Sequence, residues 1–275
     1  DGVNTINAGD GNNTVTTVTG TTPATNVIAI VFAAGPVVGN QDRNPSTTST
    51  CTTTGSSKKN HLCPTNYLEG GNENADTTFV TGLATTSFND QLLLITSDNL
   101  FPAVEMRVAR EARSVLRTFY SVNNFFPFAN AYSDSSYQCT NNQHSGRIPQ
   151  YFTDNCKQVS TQADWFGTGV NWSSWFFSNN WHHVVFYAVS PKCAKPSSPA
   201  CTASGGLLTV NTMPPPNSNI RALLIAPGRA LAGQARPCAA ATDCLEDAEN
   251  TNGDSTYTQP VVSSTVNDRM MIVSP

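Results

Sequence analysis

Apolar and polar positions alternate in blocks along this chain, and the blocks predict the elements. Val27–Ala34 is a continuous apolar run of strand length, and Ala222–Ala226 lies in a second one. Such runs, closed by Gly35 and Gly228, predict strands covered on both faces. Gln91–Ile95 and Arg269–Val273 are further strand-length runs, each preceded by Asn-Asp, whose side chains bond their own backbone in turns. Val184–Val189 and Leu207–Val210 predict two more strands, the latter before a turn at Pro214–Pro216. Between residues 98 and 122 the period changes. Val104, Val108, Val115, Leu116, Phe119 and Tyr120 form one stripe at helical spacing, and Arg107, Arg110, Glu111, Arg113 and Arg117 fill the rest. Asp98 or Asn99 is placed to cap this helix, and Pro102 to fall in its first turn. Asn123, Asn124 and Pro127 end it. The Gly- and Asn-rich stretch from Gly9 to Thr22 reads as an exposed loop.

The blocks recur in order. The run from Val27 to Gly35, followed by Gln41 and Arg43, aligns without a gap on Ile220 to Gly228, followed by Gln234 and Arg236. Each is followed by a cysteine pair, then Leu-Glu (Leu68-Glu69; Leu245-Glu246), then Glu-Asn (Glu73-Asn74; Glu249-Asn250). A last block aligns Asp76–Ile95 with Asp254–Val273. The shared order predicts a duplicated unit. Residues 1–97 form a first unit lacking its helix, whose Gly2-Val3 region matches the strand near Leu207–Val210. Residues 98–275 form a second, complete unit.

Composition narrows the class. The chain has 275 residues, of which 39% are hydrophobic, enough for a core. Charged residues make up 12%, about half the usual share. Thr, Ser, Asn and Gly replace them, as on an extracellular surface of short strands and polar turns. The net charge of −4 and absence of a long basic run give no ground for nucleic-acid or membrane-surface binding. The arginines of the helix read as a solvated face. The longest apolar run is too short to span a bilayer.

Eight cysteines fall as close neighbours: Cys51 and Cys63, Cys139 and Cys156, Cys193 and Cys201, Cys238 and Cys244. No C-x-x-C pair exists, which speaks against a zinc ribbon or knuckle. Four local disulfides are the natural reading, although spacing alone leaves other pairings open. Such bridges persist in an oxidising compartment and place the chain in the periplasm or outside the cell. A secreted chain without an export signal is expected to be a processed or truncated product.

A long amphipathic helix followed by an antiparallel sheet and a disulfide-closed loop resembles type IV pilins and type II secretion pseudopilins. The Val104-Glu105-x-Arg107-Val108-Ala109-x-Glu111 helix, the Leu-Glu…Glu-Asn…Asp-x-Thr-Phe/Tyr loop and the final Asn-Asp strand are similar to large minor pilin-like proteins. The family's N-terminal apolar helix, with its Glu near the start, is not present. The resemblance therefore implies a headpiece without that helix, with an α+β fold of an amphipathic helix packed on antiparallel β-sheets. It implies a structural filament component, with other pilin subunits as partners and an adhesive surface to display. Contact with a membrane would run only through the absent helix. The alternative is a secreted adhesin or lectin-like module that binds a glycan or cell surface through its Trp-rich segment.

Candidate chemistry is sparse. Asp247, Glu249, Asn250, Asn252 and Asp254 put several oxygens close together as candidate calcium ligands, and Glu69, Asn72, Glu73, Asn74 and Asp76 offer a similar group. Gly253 is misplaced for an EF-hand, and the same residue types are ordinary turn formers. No other cofactor is implied. His182 and His183 would point to opposite faces of a strand and would not converge on a metal. Of the tryptophans, Trp172 and Trp175 lie in a Gly/Ser/Asn-rich segment and are the expected exposed, ligand-contacting pair, while core burial is expected for the others. No G-x-S-x-G, H-E-x-x-H or phosphate loop occurs, so no catalytic residue is assigned and no enzyme activity is expected.

Overall fold

The structure is a computed structural model that describes residues 13–17, 24–51, 55–74, 78–152, 165, 170–194, 201, 207–212 and 217–274. The expected positions of Gly2-Val3, Asp76, Cys156 and Pro214–Pro216 lie outside these. The fold is mixed α+β and divides into two compact units, Asp1–Leu100 and Phe101–Pro275.

Unit 1 is built on β1 (Asn13–Thr17), β2 (Ala24–Ala33), β5 (Thr78–Thr81) and β6 (Gln91–Thr96), with a small hairpin of β3 (Thr48–Cys51) and β4 (Ser56–Lys59) in the long connection. The sheet order is β5-β1-β2-β6. The strand matched to Leu208–Val210 is β1, inside the stretch expected to be an exposed loop, and not Gly2-Val3. Its sequence, Asn-Thr-Val-Thr-Thr, has β-branched residues but no apolar run, so pattern alone passes over it.

Unit 2 contains most of helix α1 (Ser97–Asn123), then β7 (Ser145–Arg147), the short helix α2 (Ser174–Ser178), β8 (Phe186–Val189), β9 (Leu208–Val210), β10 (Asn217–Ile220), β11 (Ala222–Ala226), β12 (Thr256–Tyr257) and β13 (Arg269–Ser274). Its sheets run β13-β11-β8-β7 and β10-β9-β12. Helix α1 starts at Ser97, one residue before the expected span, and Pro102 lies inside it rather than in its first turn. Asn99 is helical, and its Oδ1 accepts the Thr96 N–H at 2.9 Å. Val108, Ala112, Val115, Leu116 and Phe119 are buried in one cluster with Tyr187, Val189, Ala222, Leu224 and Val273. Arg107, Arg110 and Arg117 lie on the exposed side. The Arg117 Nε still reaches back to donate to the Val273 carbonyl at 2.5 Å. The opposite side of the sheet belongs to a second cluster that holds Phe186, Leu223, Ile225, Leu245 and Tyr257.

Most of the pairing repeats between units. In unit 1, β1 pairs antiparallel with β2 through Asn13 opposite Val27 and Val15 opposite Ala24. In unit 2, β9 pairs with β10 through Leu208 opposite Ile220 and Val210 opposite Asn217. Strand β5 runs parallel to β1, Phe79 beside Val15, as β12 runs parallel to β9, Tyr257 beside Val210. These parallel pairs depart from the wholly antiparallel sheets expected. They arise because the long disulfide-bearing connection begins and ends at the same end of the sheet. The outer pairing matches from Ile30 on: it faces Leu94 as Leu223 faces Ile272, while the register shifts before Ala29 in unit 1 and after Ala222 in unit 2.

Disulfides join Cys51 to Cys63, Cys193 to Cys201 and Cys238 to Cys244, and Cys139 is disulfide-bonded. These bridges indicate an oxidising compartment. Among the described residues, no helix is long and apolar enough to cross a membrane.

Candidate functional site

The most ordered polar arrangement is a latch that fastens the long connection to the strand before which it ends, and both units contain it. Gln41 Nε2 donates to Glu69 Oε1 at 2.6 Å, and Gln234 Nε2 to Glu246 Oε1 at 2.7 Å. The other carboxylate oxygen of each Glu accepts a backbone N–H, from Asn89 at 2.8 Å and from Asn267 at 3.0 Å. Asp90 Oδ2 accepts the Glu69 N–H at 2.7 Å, and Asp268 Oδ2 the Glu246 N–H at 3.0 Å. Arg43 and Arg236 donate to the carbonyls of Gly35 and Gly228. Asn72 exchanges two hydrogen bonds with the backbone of Val80, as Asn250 does with Thr258. Asn250 is thus matched by Asn72 and not by Asn74, because the loops differ by one residue between Leu-Glu and this point.

Burial gives the latch its electrostatics. Desolvation pushes the carboxyl of Asp268 up, and the neighbouring Glu246 carboxylate adds to the rise. Asp90 is pushed the same way, first by burial, against the hydrogen bonds it accepts from Glu69 and Asn72. The Oδ1 atoms of Asp90 and Asp268 are both buried without a hydrogen-bond partner. The Asp268 carboxyl is pushed up to about 8, and a proton held there removes the charge that burial penalises.

The same geometry bears on the calcium candidates. Asn250 is buried and spends its Oδ1 on the Thr258 N–H at 2.9 Å, so it faces the fold and not a loop cavity. Asp247, Asn252 and Asp254 each accept a backbone N–H two residues on, from Glu249, Asp254 and Thr256. These are Asx turns. The Asn252 side-chain amide donates to Glu249 and Asp254, at 3.3 and 3.2 Å, at the centre of the group. Turn chemistry accounts for the bonds these residues make in this loop. No group of three or more His, Cys, Asp or Glu side chains among the described residues is placed to hold a metal.

Of the tryptophan pair expected to be exposed, Trp172 is buried. Trp172 is 7% exposed; its ring meets Trp165 edge-on at 5.4 Å and lies 4.3 Å from Phe176. Polar neighbours in sequence hid an aromatic cluster assembled from distant segments. Trp165 is fully buried, and its Nε1 donates to the Pro149 carbonyl at 3.0 Å. Trp175 is half-buried, with the Arg107 guanidinium 5.0 Å from its ring centroid. His182 and His183 lie in a one-turn 3-10 helix rather than a strand. His183 stacks on Tyr137 at 3.8 Å. His182 is buried with neither ring nitrogen hydrogen-bonded, and burial holds its pKa down to about 3. Beside them Arg147 is buried, donating to the carbonyls of Ala131, Tyr132 and Asp134. Through these bonds Arg147 holds the 130–147 loop. The latch is not legible in the sequence as one network, although four of its residues, Gln, Arg, Glu and Asp, are among those that recur.

Compared with known proteins, the chain matches no family model, no curated protein and no solved structure.

Proposed function

We propose that this chain is a structural subunit of an extracellular filament of the type IV pilin kind, made of two related pilin-like units. The observation that carries this reading is the pairing of α1 with a four-stranded sheet in unit 2, followed by a loop latched back onto the sheet and closed by Cys238–Cys244. The same strand register and latch in unit 1 support the duplication. A part of this kind works by shape and rigidity. The latch and disulfides fix long loops that carry few apolar residues, and the exposed loop residues Leu83 and Val261, at matched positions, are suited to packing against neighbouring subunits. No turnover is proposed. Burial of Trp172 removes half of the pair on which a glycan-binding module would depend.

The test is to shear surface filaments from the source cells, purify them, and probe them with gold-labelled antibody against residues 101–275. Label at filament tips or along their length supports the reading. Filaments free of label, with the chain recovered wholly in the medium, would overturn it.

A further inference from the structure

The outward face of α1 carries positive charge that its own helix does not neutralise. Arg107, Arg110 and Arg117 are exposed on one side of the helix. Helical spacing puts them in a line, and the ten residues from first to last span about 15 Å. The acids of the helix are engaged elsewhere. Glu105 is buried and paired with Arg269 at 3.2 Å. Glu111 is half-buried and its Oε1 accepts the Ser173 N–H at 2.9 Å. Among the described residues, Arg107, Arg110 and Arg113 have no carboxylate partner. Burial, and then the charge of Arg113, hold the Arg117 guanidinium below its ordinary value. Like charges three and four residues apart repel. A chain of net charge −4 therefore tolerates a repulsive line of arginines on one surface. Arg107 is also held in place, because its guanidinium lies 5.0 Å from the ring centroid of Trp175 on α2.

What surrounds the line narrows the partner. Ser114, Thr118 and Ser121 are exposed beside it. The hydroxyls of Thr118 and Ser121 donate to the carbonyls of Ser114 and Thr118, at 3.0 and 2.8 Å, and each oxygen keeps its acceptor capacity. Protein partners are anchored by apolar and aromatic hot spots, and between residues 101 and 123 the exposed large apolar residue is Val122. A helix lying on a bilayer sinks its apolar side, but the apolar side of α1 is spent on Tyr187, Leu224 and Val273. Single-stranded nucleic acid stacks its bases on successive aromatic rings; among the described residues, Trp175 is the one ring on which these arginines stack. A polysaccharide with spaced anionic groups matches the rest. Guanidinium forks take carboxylate or sulfate oxygens in pairs, and the intervening hydroxyls accept from sugar hydroxyls. We propose that the outward face of α1, through Arg107, Arg110 and Arg117, binds an anionic polysaccharide, with Trp175 as the positioning residue for Arg107. The inference goes beyond the filament reading and does not depend on it, since the surface is complete in a single chain.

The probes are a polyuronate oligomer, a sulfated glycan oligomer, a neutral dextran oligomer and a single-stranded DNA of matching charge, each titrated calorimetrically into the 275-residue chain. The expected result is binding of an acidic sugar and none of dextran; which acidic sugar binds tells carboxylate from sulfate. Raising the salt from about 50 to about 200 mM should weaken binding on the order of tenfold, as three charge contacts require. Arg107→Gln combined with Arg110→Gln should weaken it at least about tenfold. Arg229→Gln, at an exposed arginine outside α1, should leave it unchanged. Amide exchange at residues 222–226 shows whether each variant folds. Trp175→Leu should weaken binding about threefold in the parent chain and not at all in Arg107→Gln, because the ring acts through that arginine. The proposal is overturned if neither acidic sugar binds or if the double variant binds as the parent does. It is equally overturned if the DNA binds more tightly than both sugars, which would make this a nucleic-acid surface. An equal loss from Trp175→Leu in both backgrounds would overturn the positioning role.

Discussion

At the residue scale, small side chains and buried acids set the latch. Asp268 has a folded-state pKa above the ordinary value of about 3.9. The native chain therefore holds a proton that the unfolded chain has released once pH exceeds that value. Stability is greatest at low pH on this account and falls as pH rises through the unfolded value toward the raised one. Asp268→Asn retains an acceptor for the Glu246 N–H and cannot ionise. We expect the melting temperature of the parent chain to fall more between pH 5 and pH 8 than that of the variant, by about 3 °C. Equal losses in calorimetry would show that this carboxyl is not the source. Gly228 lies so close to Asn267 that an added Cβ would fall within 2.3 Å of its Cγ. Gly228→Ala should cost about 2 kcal/mol, and much of that should be regained once Asn267→Ala is combined with it. Strictly additive costs in urea unfolding would place the strain elsewhere. Gly35 and Asn89 repeat the geometry and should repeat the result.

At the scale of elements, the aromatic core decides more than the helix sequence alone. Phe119 is fully buried and meets Phe125, Phe152 and Trp165 with ring centroids 5.7, 5.8 and 5.2 Å away. Phe119→Ala should cost about 3–5 kcal/mol through lost burial and the cavity left behind. Val122, on the same helix, is 56% exposed, and Val122→Ala should stay within about 0.5 kcal/mol. Similar urea midpoints for the two variants would mean that this face of α1 is not anchored as described. The same contrast explains what the sequence revealed. Helix α1, β2, β6, β11 and β13 were legible because each concentrates apolar residues at one period. Strand β1 was not, because Asn13–Thr17 is made a strand by its neighbours. The parallel pairs were hidden because a ladder's direction depends on where a long connection returns. Trp172 was misjudged because its local neighbours are polar while its contacts come from Trp165 and Phe176. The acidic loop is ambiguous in sequence for a related reason: the side chains that bind calcium are also those that close Asx turns, and Asn250 is turned toward Thr258.

At the scale of the whole molecule, the two units differ in how much apolar surface they bury by themselves. In unit 1 the buried apolar residues among those described are Val27, Cys51, Cys63 and Phe88, whereas unit 2 contains both aromatic-rich clusters. Hydrophobic burial is the dominant favourable term in folding, so unit 1 should hold only a small margin over its conformational entropy. A single cooperative transition is then not expected. In a urea series followed by pulsed hydrogen exchange, residues 28–33 and 91–96 should lose protection before residues 222–226 and 270–273. Reduction should widen the gap. The Cys51–Cys63 bridge closes a separation of 12 residues, and a loop of that size is worth about 3 kcal/mol, a large part of any margin unit 1 has. Unit 2 loses its bridges too, but the cluster around Phe119, Trp165 and Tyr187 remains. Coincident midpoints for both segments, before and after reduction, would show that unit 1 draws its stability from somewhere other than its own core.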